Sequence, residues 1–128
     1  MNEKTKLMLV DDEPDFLEII GKFFSRRKIA FETANGCLEA LDWLARDRFD
    51  VVIMDISMPG LDGFACMFEM KKVQPEVEII FLTGHASLNT GITCMKHGAF
   101  DYCLKPIDFA ELFEKIVLAR RKISGKDS

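Results

Sequence analysis

The segment VVIMD, residues 51–55, runs four apolar residues directly into a carboxylate. Continuous apolar runs of this length are typical of strands in a parallel sheet that helices cover on both faces. The segment LMLVDDE, residues 7–13, has the same form and ends in three acids. Because ligand-binding residues of such sheets follow the carboxyl ends of the strands, the two segments predict a cluster of negative charge at one sheet edge.

The rest of the chain alternates short apolar or β-branched runs with longer segments of helical period. This alternation predicts an α/β fold with one doubly wound, five-stranded parallel sheet and five helices. Pro14 suits the first turn of helix one, and Asp108 suits the N-cap of helix five. The predicted strands are residues 6–10, 31–34, 51–54, 78–82 and 102–104.

The fourth helix, from about Ser87 to Lys96, carries the weakest helical signal. It contains Gly91, and an interior glycine costs about 1 kcal/mol relative to alanine. The helix is therefore predicted to be the most malleable element, although packing against its neighbours could equally well hold it in place.

Length and composition predict one domain over residues 1–128, with a core from about 6 to 122 and a polar C-terminal tail at 123–128. The formal net charge of −4 argues against direct binding to nucleic acid, whose phosphates are also negative. The sequence contains no apolar run close to the roughly 20 residues that span a bilayer. A cytoplasmic protein without membrane contact is therefore expected.

The cysteines are predicted to be thiols without a chemical role. They are widely spaced, they form no C-x-x-C pair, and a reducing compartment would keep them as thiols. The histidines are too few for a metal cluster unless several carboxylates join them. The residues concerned are Cys37, Cys66, Cys94 and Cys103, with His85 and His97.

The acids Asp11, Asp12 and Glu13 after strand one, and Asp55 after strand three, would repel one another without a cation or a proton between them. Mg²⁺ binds through one or two carboxylates together with water and phosphate oxygens, which adjacent strand ends can supply. The acids after strand one, taken alone, could equally be a solvated helix start. Their combination with Asp55 favours a Mg²⁺ site.

Two more strand ends carry polar side chains. Strand four ends at Thr83, which supplies a hydroxyl, and strand five is followed by Lys105, which can pair with Asp55 or with a phosphate oxygen. Pro106 allows a cis Lys-Pro bond, which would aim the lysine inward. The sheet edge is thus predicted to combine acids, a hydroxyl and an amine.

This combination of motifs resembles the receiver domain of two-component response regulators, including chemotaxis regulators, from about Lys6 to Lys122. The resemblance implies a flavodoxin-like sheet with strand order 2-1-3-4-5 and a signalling switch that catalyses only its own Mg²⁺-dependent phosphorylation and dephosphorylation. The matching segments are LMLVDDEP (7–14), VVIMDISMPGLDG (51–63), IIFLTGHAS (79–87) and GAFDYCLKP (98–106).

The resemblance also implies roles for single residues. Asp55 is expected to be the phosphoacceptor, and Asp11, Asp12, Asp55 and the backbone carbonyl of Ser57 to bind one Mg²⁺ ion. Lys105 is expected to pair with the phosphoryl group, which makes it a catalytic residue along with Asp55 and Thr83.

Thr83 and Tyr102 resemble the pair that switches the surface of helix four, strand five and helix five. Thr83 would turn its hydroxyl toward the phosphoryl oxygen and Tyr102 would move inward, although Tyr102 read without its context is an ordinary half-buried strand aromatic. Ser57 and His85 resemble positions that modulate dephosphorylation, but His85 also fits an exposed loop histidine. Gly91 and the aromatic residues of helix one, among them Phe16, depart from the family pattern and are expected not to touch the site.

The expected partners are a histidine kinase or phosphotransfer protein and an output protein or fused effector domain. A phosphorylation-dependent homodimer also fits the resemblance. One alternative is a phosphorylation-independent interaction module of the same fold. A haloacid-dehalogenase-type phosphatase would need a second acid two residues after Asp55, where Ser57 stands, and a flavin module would need a phosphate-binding loop where Asp11 and Asp12 lie.

Overall fold

The computed structural model describes residues 5–56, 62–84 and 88–127. Five parallel strands form one sheet in the order β2-β1-β3-β4-β5, which confirms the predicted fold and strand order. The strands are β1 (Lys6–Val10), β2 (Ala30–Ala34), β3 (Val51–Asp55), β4 (Glu78–Thr83) and β5 (Asp101–Leu104). The helices are α1 (Pro14–Arg26), α2 (Cys37–Arg46), α3 (Gly63–Val73), α4 (Leu88–Lys96) and α5 (Phe109–Asp127).

The register of the sheet brings the strand ends level. Val10 at the end of β1 lies beside Met54 of β3, and Asp55 lies beside Leu82 of β4. Every residue of β3 and β4 is buried, as the continuous apolar runs predicted. Residues at the carboxyl ends of β1, β3, β4 and β5 therefore share one edge of the sheet.

Two apolar layers cover the sheet, one on each face. Alternate residues of β1 and β3 enter different layers, because successive side chains of a strand point to opposite faces. Met8 and Met54 pack with α2 and α3, whereas Leu9 and Ile53 pack with α1 and α5. Within the described ranges, no helix is long and apolar enough to cross a bilayer.

Helix α5 runs to Asp127, beyond the predicted core boundary at 122, and Ile123 is only 2% exposed. Nζ of Lys122, the residue before Ile123, lies 3.0 Å from Oε2 of the buried Glu78 at the start of β4. The helix therefore continues into the segment predicted as a polar tail because its last turns still offer an apolar side chain and a charge to the sheet.

The predicted helix starts are confirmed for α1 and α5. Pro14 occupies the first turn of α1, and Asp108 Oδ1 accepts a hydrogen bond of 3.1 Å from the backbone N–H of Glu111. Helix α4 begins at Leu88, while Ser87, where the prediction began it, lies outside the described residues. The predicted malleability of α4 stays a prediction.

The prediction that all four cysteines are thiols is wrong for two of them. Cys37 and Cys66 form a disulfide between α2 and α3, whereas Cys94 and Cys103 are buried thiols. The paired residues are 29 positions apart in sequence, and only the packing of the two helices side by side brings them together. Spacing along the chain therefore could not reveal the pair.

Gln74, which follows α3, joins that helix to the connection between α2 and β3. Its side-chain Nε2 donates to the backbone oxygens of Leu44, at 2.8 Å, and of Asp47, and its Oε1 accepts from the N–H of Phe49 at 3.1 Å. One side chain thus satisfies three backbone groups where α2 ends.

We expect Gln74→Met to lower the free energy of unfolding by about 2 kcal/mol, because it keeps the side-chain length but leaves those backbone groups without their partner. Urea denaturation followed by far-UV circular dichroism measures the change. Lys72→Met is the control, since Lys72 is exposed and its ion pair with Glu69 is also at the surface. Equal denaturation midpoints for the two variants would contradict the prediction.

Candidate functional site

Three charged side chains meet at the carboxyl edge of the sheet. Lys105 Nζ lies 2.8 Å from Asp55 Oδ2 and 3.7 Å from Asp11 Oδ2. Asp55 ends β3 and is 7% exposed, whereas Asp11 follows β1 and is 1% exposed. The structure therefore brings together three of the predicted site residues, with one ammonium group between two buried carboxylates.

Lys105 is positioned by its backbone and by an aromatic ring. Its N–H donates to the backbone oxygen of Thr83 at 2.8 Å, and the peptide bond to Pro106 is cis, as predicted. The ammonium also lies 4.6 Å from the centroid of the Phe16 ring. The expectation that Phe16 does not touch the site is therefore wrong, because α1 begins beside the carboxyl end of β1 and holds this ring over the lysine.

Burial and charge act in opposite directions on these groups. Burial raises the pKa of Asp11, and the charges of Asp55 and Asp12 add to the increase, although the N–H of Glu13, at 2.9 Å, and Lys105 oppose it. Burial lowers the pKa of Lys105, but the hydrogen bond and charge of Asp55, with the charge of Asp11, outweigh it and leave the pKa raised. The lysine is thus held as a cation beside an acid that resists ionisation.

The donor set fits a magnesium ion, although the site differs from an all-protein metal cage. Asp11 Oδ2 is buried and has no hydrogen-bond partner among the described residues, so one carboxylate oxygen is available as a ligand. No group of three or more His, Cys, Asp or Glu side chains among those residues could hold a metal ion by itself. Mg²⁺ does not require one, because it retains several waters and binds through one or two carboxylates.

Of the other predicted site residues at this edge, the structure describes Asp12 but not Ser57 or His85. Asp12 is exposed, and its charge contributes to the raised pKa of Asp11. Ser57, predicted to bind Mg²⁺ through its carbonyl, and His85, predicted to modulate dephosphorylation, both lie outside the described residues.

Thr83 and Tyr102 occupy neighbouring strands, with Tyr102 beside Phe81, two residues before Thr83. Thr83 ends β4 and is fully buried, beside Leu104 of β5. Tyr102 is half-buried, and the backbone oxygen of this residue accepts a hydrogen bond from Nζ of Lys115 on α5. The tyrosine thus lies between α4 and α5.

Gly91 of α4 provides the space for the Tyr102 ring. A Cβ atom at Gly91 would come within 2.4 Å of the tyrosine hydroxyl oxygen and 2.5 Å of Cζ. The expectation that Gly91 does not touch the predicted site residues is therefore wrong for Tyr102. The glycine that weakens the helix in sequence terms is the residue that allows the aromatic ring to lie against the α4 backbone.

A family model described as the response regulator receiver domain matches residues 7–117. The chain belongs to this family. It is accordingly a receiver domain of two-component systems, a phosphoryl-accepting signalling switch rather than a classical enzyme.

Curated relatives and solved structures agree with this assignment. Response regulator protein PilR of Pseudomonas aeruginosa is 33% identical over 92% of this chain, and the transcriptional regulator NtrC of Escherichia coli is 32% identical over 91%. The matches cover 26% and 24% of those proteins, so the chain spans about a quarter of the length of these relatives.

A receiver domain protein from Clostridium thermocellum has a TM-score of 0.84 and 34% identity, with 92% of this chain and 95% of that chain covered. The receiver domain dimer of NtrC4, solved in its beryllofluoride-activated form, has a TM-score of 0.85 and 25% identity, covering 92% of this chain and 98% of that one.

Sequence reasoning missed Phe16 as a neighbour of Lys105 and Gly91 as a neighbour of Tyr102 in this receiver domain. Phe16 follows the acids after β1 by a few positions, which places it within reach of the same sheet edge. A glycine inside a helical pattern usually has a packing or functional reason, and this was the available signal for Gly91.

We expect Gly91→Ala to displace the Tyr102 ring, because the added methyl group would overlap the phenol. Tyr102 is the only tyrosine of the chain, so fluorotyrosine incorporation gives a single ¹⁹F resonance that reports its surroundings. The variant should shift or broaden this resonance. Gly36→Ala is the control, since a Cβ there meets nothing within 4 Å, and an unmoved resonance in Gly91→Ala would contradict the prediction.

We expect Asp11→Asn to stabilise the metal-free receiver domain at neutral pH. The folded-state pKa of Asp11 lies above its unfolded value, so ionisation of this group costs stability above that pKa, and the cost disappears as the pH falls through it. The gain of the variant over the unaltered chain, measured by urea denaturation in EDTA, should therefore shrink toward acid pH.

Added Mg²⁺ should raise the denaturation midpoint of the unaltered chain more than that of Asp11→Asn, because ligands that bind only the folded state stabilise it. Asp15→Asn controls for the loss of a surface charge, since Asp15 is exposed at the start of α1. A less stable Asp11→Asn in EDTA at neutral pH would mean that attraction to Lys105 outweighs the burial of the carboxylate.

Proposed function

We propose that Asp55 is the residue that accepts the phosphoryl group. The observation that carries this proposal is the ammonium of Lys105, held 2.8 Å from Asp55 and 3.7 Å from Asp11 at the carboxyl edge of the sheet. An Oδ atom of Asp55 attacks the phosphorus of a phosphohistidine, the P–N bond breaks, and the electron pair leaves with the imidazole. The product is an acyl phosphate on Asp55.

The side chains around Asp55 are suited to the charge that the phosphoryl group brings. Lys105 is a cation already in contact with Asp55, so it can pair with a phosphoryl oxygen without a large movement. Asp11, Asp12 and Asp55, with the carbonyl of Ser57, would hold Mg²⁺. When bound, the ion offsets negative charge on the phosphoryl oxygens during transfer.

The same residues support switching after phosphorylation. The added dianion offers a new acceptor to the hydroxyl of Thr83, which is buried at the adjacent strand end. Movement of Thr83 toward it would open space for Tyr102, whose ring lies against α4. Phosphorylation would then bias the packing of α4, β5 and α5 between two arrangements.

The proposed partners follow from this surface and from the relatives. A histidine kinase or phosphotransfer protein supplies the phosphoryl group, and an output protein or effector domain reads the α4, β5 and α5 surface. Similarity to transcriptional regulators of about four times this length supports an effector domain in the same polypeptide. Similarity to the NtrC4 receiver dimer supports a phosphorylation-dependent homodimer.

Residues 1–128 would form one receiver domain that does not itself bind nucleic acid or membrane. Ser57 and His85 would adjust the rate at which the acyl phosphate hydrolyses, since both follow site residues by two positions.

We expect the unaltered chain, incubated with Mg²⁺ and acetyl phosphate, to gain the mass of one phosphoryl group that is labile to base. Asp55→Asn should gain none, because an amide is not a competent nucleophile, and EDTA should abolish the gain. Intact mass spectrometry measures both. Asp42→Asn is the matched control, since this aspartate is exposed on α2 and pairs with Arg46 at the surface.

A folded, Mg²⁺-bound chain that gains no phosphoryl group from acetyl phosphate or from a phosphohistidine donor would contradict the proposal. The phosphorylation-independent interaction module would then be the better description of this receiver fold.

A further inference from the structure

The disulfide between Cys37 and Cys66 joins the N-terminal ends of α2 and α3, which lie at the carboxyl edge of the sheet, where Asp55 is. Cys37 is the first residue of α2, and Cys66 lies in the first turn of α3. Their Cα atoms are 6.0 Å apart, a separation that a disulfide spans without backbone movement. Both helices pack on the same face of the sheet.

The two cysteines differ in exposure. Cys37 is half-buried, whereas Cys66 is 3% exposed. Both cysteines lie in the first turn of a helix, so the difference in exposure, and not the helix position, marks Cys37 as the residue that reacts first. An accessible cysteine beside a buried one is the arrangement in which the first reacts and the second resolves the adduct.

The other two cysteines provide a contrast within the same chain. Cys94 and Cys103 are fully or almost fully buried and remain thiols. Burial raises the pKa of Cys94, and it raises the pKa of Cys103 to about 11. Neither offers an accessible thiolate, so reactivity is confined to the pair that α2 and α3 bring together.

The position of the pair connects it to the site. Helix α3 begins eight residues after Asp55, and the Phe64 ring in its first turn stacks on His97, the residue directly after α4, at 4.2 Å between centroids. The same ring contacts Phe81 of β4 at 5.3 Å. A covalent link at Cys66 therefore restrains the helix end that follows Asp55 and that contacts His97 after the end of α4.

We propose that Cys37 and Cys66 are a reversible redox modification site that reacts with low-molecular-weight disulfides. In a reducing compartment, disulfides in proteins are typically transient or regulatory rather than permanent, which fits a pair with one accessible sulfur. The predicted cytoplasmic setting and the disulfide are compatible on this basis.

The chemistry balances with one oxidant molecule. The Cys37 thiolate attacks one sulfur of an external disulfide, which forms a mixed disulfide and releases one thiol. The Cys66 thiolate then attacks the Cys37 sulfur and releases the second thiol. Two protein thiols are oxidised, one external disulfide is reduced to two thiols, and the reverse sequence restores the protein.

The test is a redox titration of the unaltered chain in buffers with varied ratios of reduced to oxidised glutathione. After equilibration, the protein is denatured in an alkylating reagent and its intact mass is measured. Four cysteines should carry the label in reducing buffer and two in oxidising buffer, with a single transition between them. Peptide mapping should assign the change to Cys37 and Cys66.

Two variants test the order of reaction. Cys66→Ser should trap glutathione on Cys37, because the resolving thiol is missing, whereas Cys37→Ser should form no adduct on the buried Cys66. If the unaltered chain carries four labelled cysteines in every buffer, or two in every buffer, there is no redox transition and the proposal is overturned. This outcome does not depend on whether the variants fold.

An effect of the disulfide on phosphorylation of Asp55 rests on the proposed function, whereas the redox titration does not depend on that function. We expect the reduced chain to take up the phosphoryl group from acetyl phosphate about fivefold faster than the oxidised chain, since its α3 end can adjust to the added charge. The Cys37→Ser, Cys66→Ser double variant should take up the group at the reduced rate in both buffers.

Asp55→Asn separates the two proposals. It should show the same redox transition as the unaltered chain while gaining no phosphoryl group. A redox transition with equal uptake rates in both states would overturn only the connection between the cysteines and Asp55, and the modification site would stand.

Discussion

The ammonium of Lys105 between the carboxylates of Asp55 and Asp11 is the interaction on which this site depends. Two buried acids at adjacent strand ends are costly without a positive charge between them. The lysine follows β5, two strands from Asp55 in the sheet, so its charge reaches the acids only when the sheet is assembled in this order. Folding and the electrostatics of the site are therefore coupled through one side chain.

Lys105 does not provide a hydrogen bond to every carboxylate oxygen of the site, and the oxygen without one can bind a cation. Oδ2 of Asp11 has no hydrogen bond among the described residues, and burial raises the pKa of this carboxyl group. A buried carboxylate oxygen without a partner favours a bound cation, because a divalent ion supplies the positive charge that the protein itself does not. The receiver fold thus holds charges in an arrangement that a metal ion and a phosphoryl group can complete.

The surroundings of the site show how far its influence can extend. Phe16 holds the ammonium from the α1 side, and Gly91 lets the Tyr102 ring lie against α4. Directly after α4, His97 stacks on Phe64, which lies two residues before Cys66, the residue that the disulfide joins to α2. The Tyr102 ring thus lies against the backbone of α4 at Gly91, and His97 directly after this helix contacts the first turn of α3.

The sequence by itself determined the α/β fold, the approximate strand limits, and the convergence of Asp11, Asp55, Thr83 and Lys105, because apolar runs that end in polar residues are local patterns. Tertiary structure alone decided the disulfide, the Phe16 contact and the fit of Tyr102 onto Gly91. These depend on distances between side chains of different helices and strands, which no periodicity along the chain encodes. The extension of α5 past residue 122 likewise required the sheet against which Ile123 is buried.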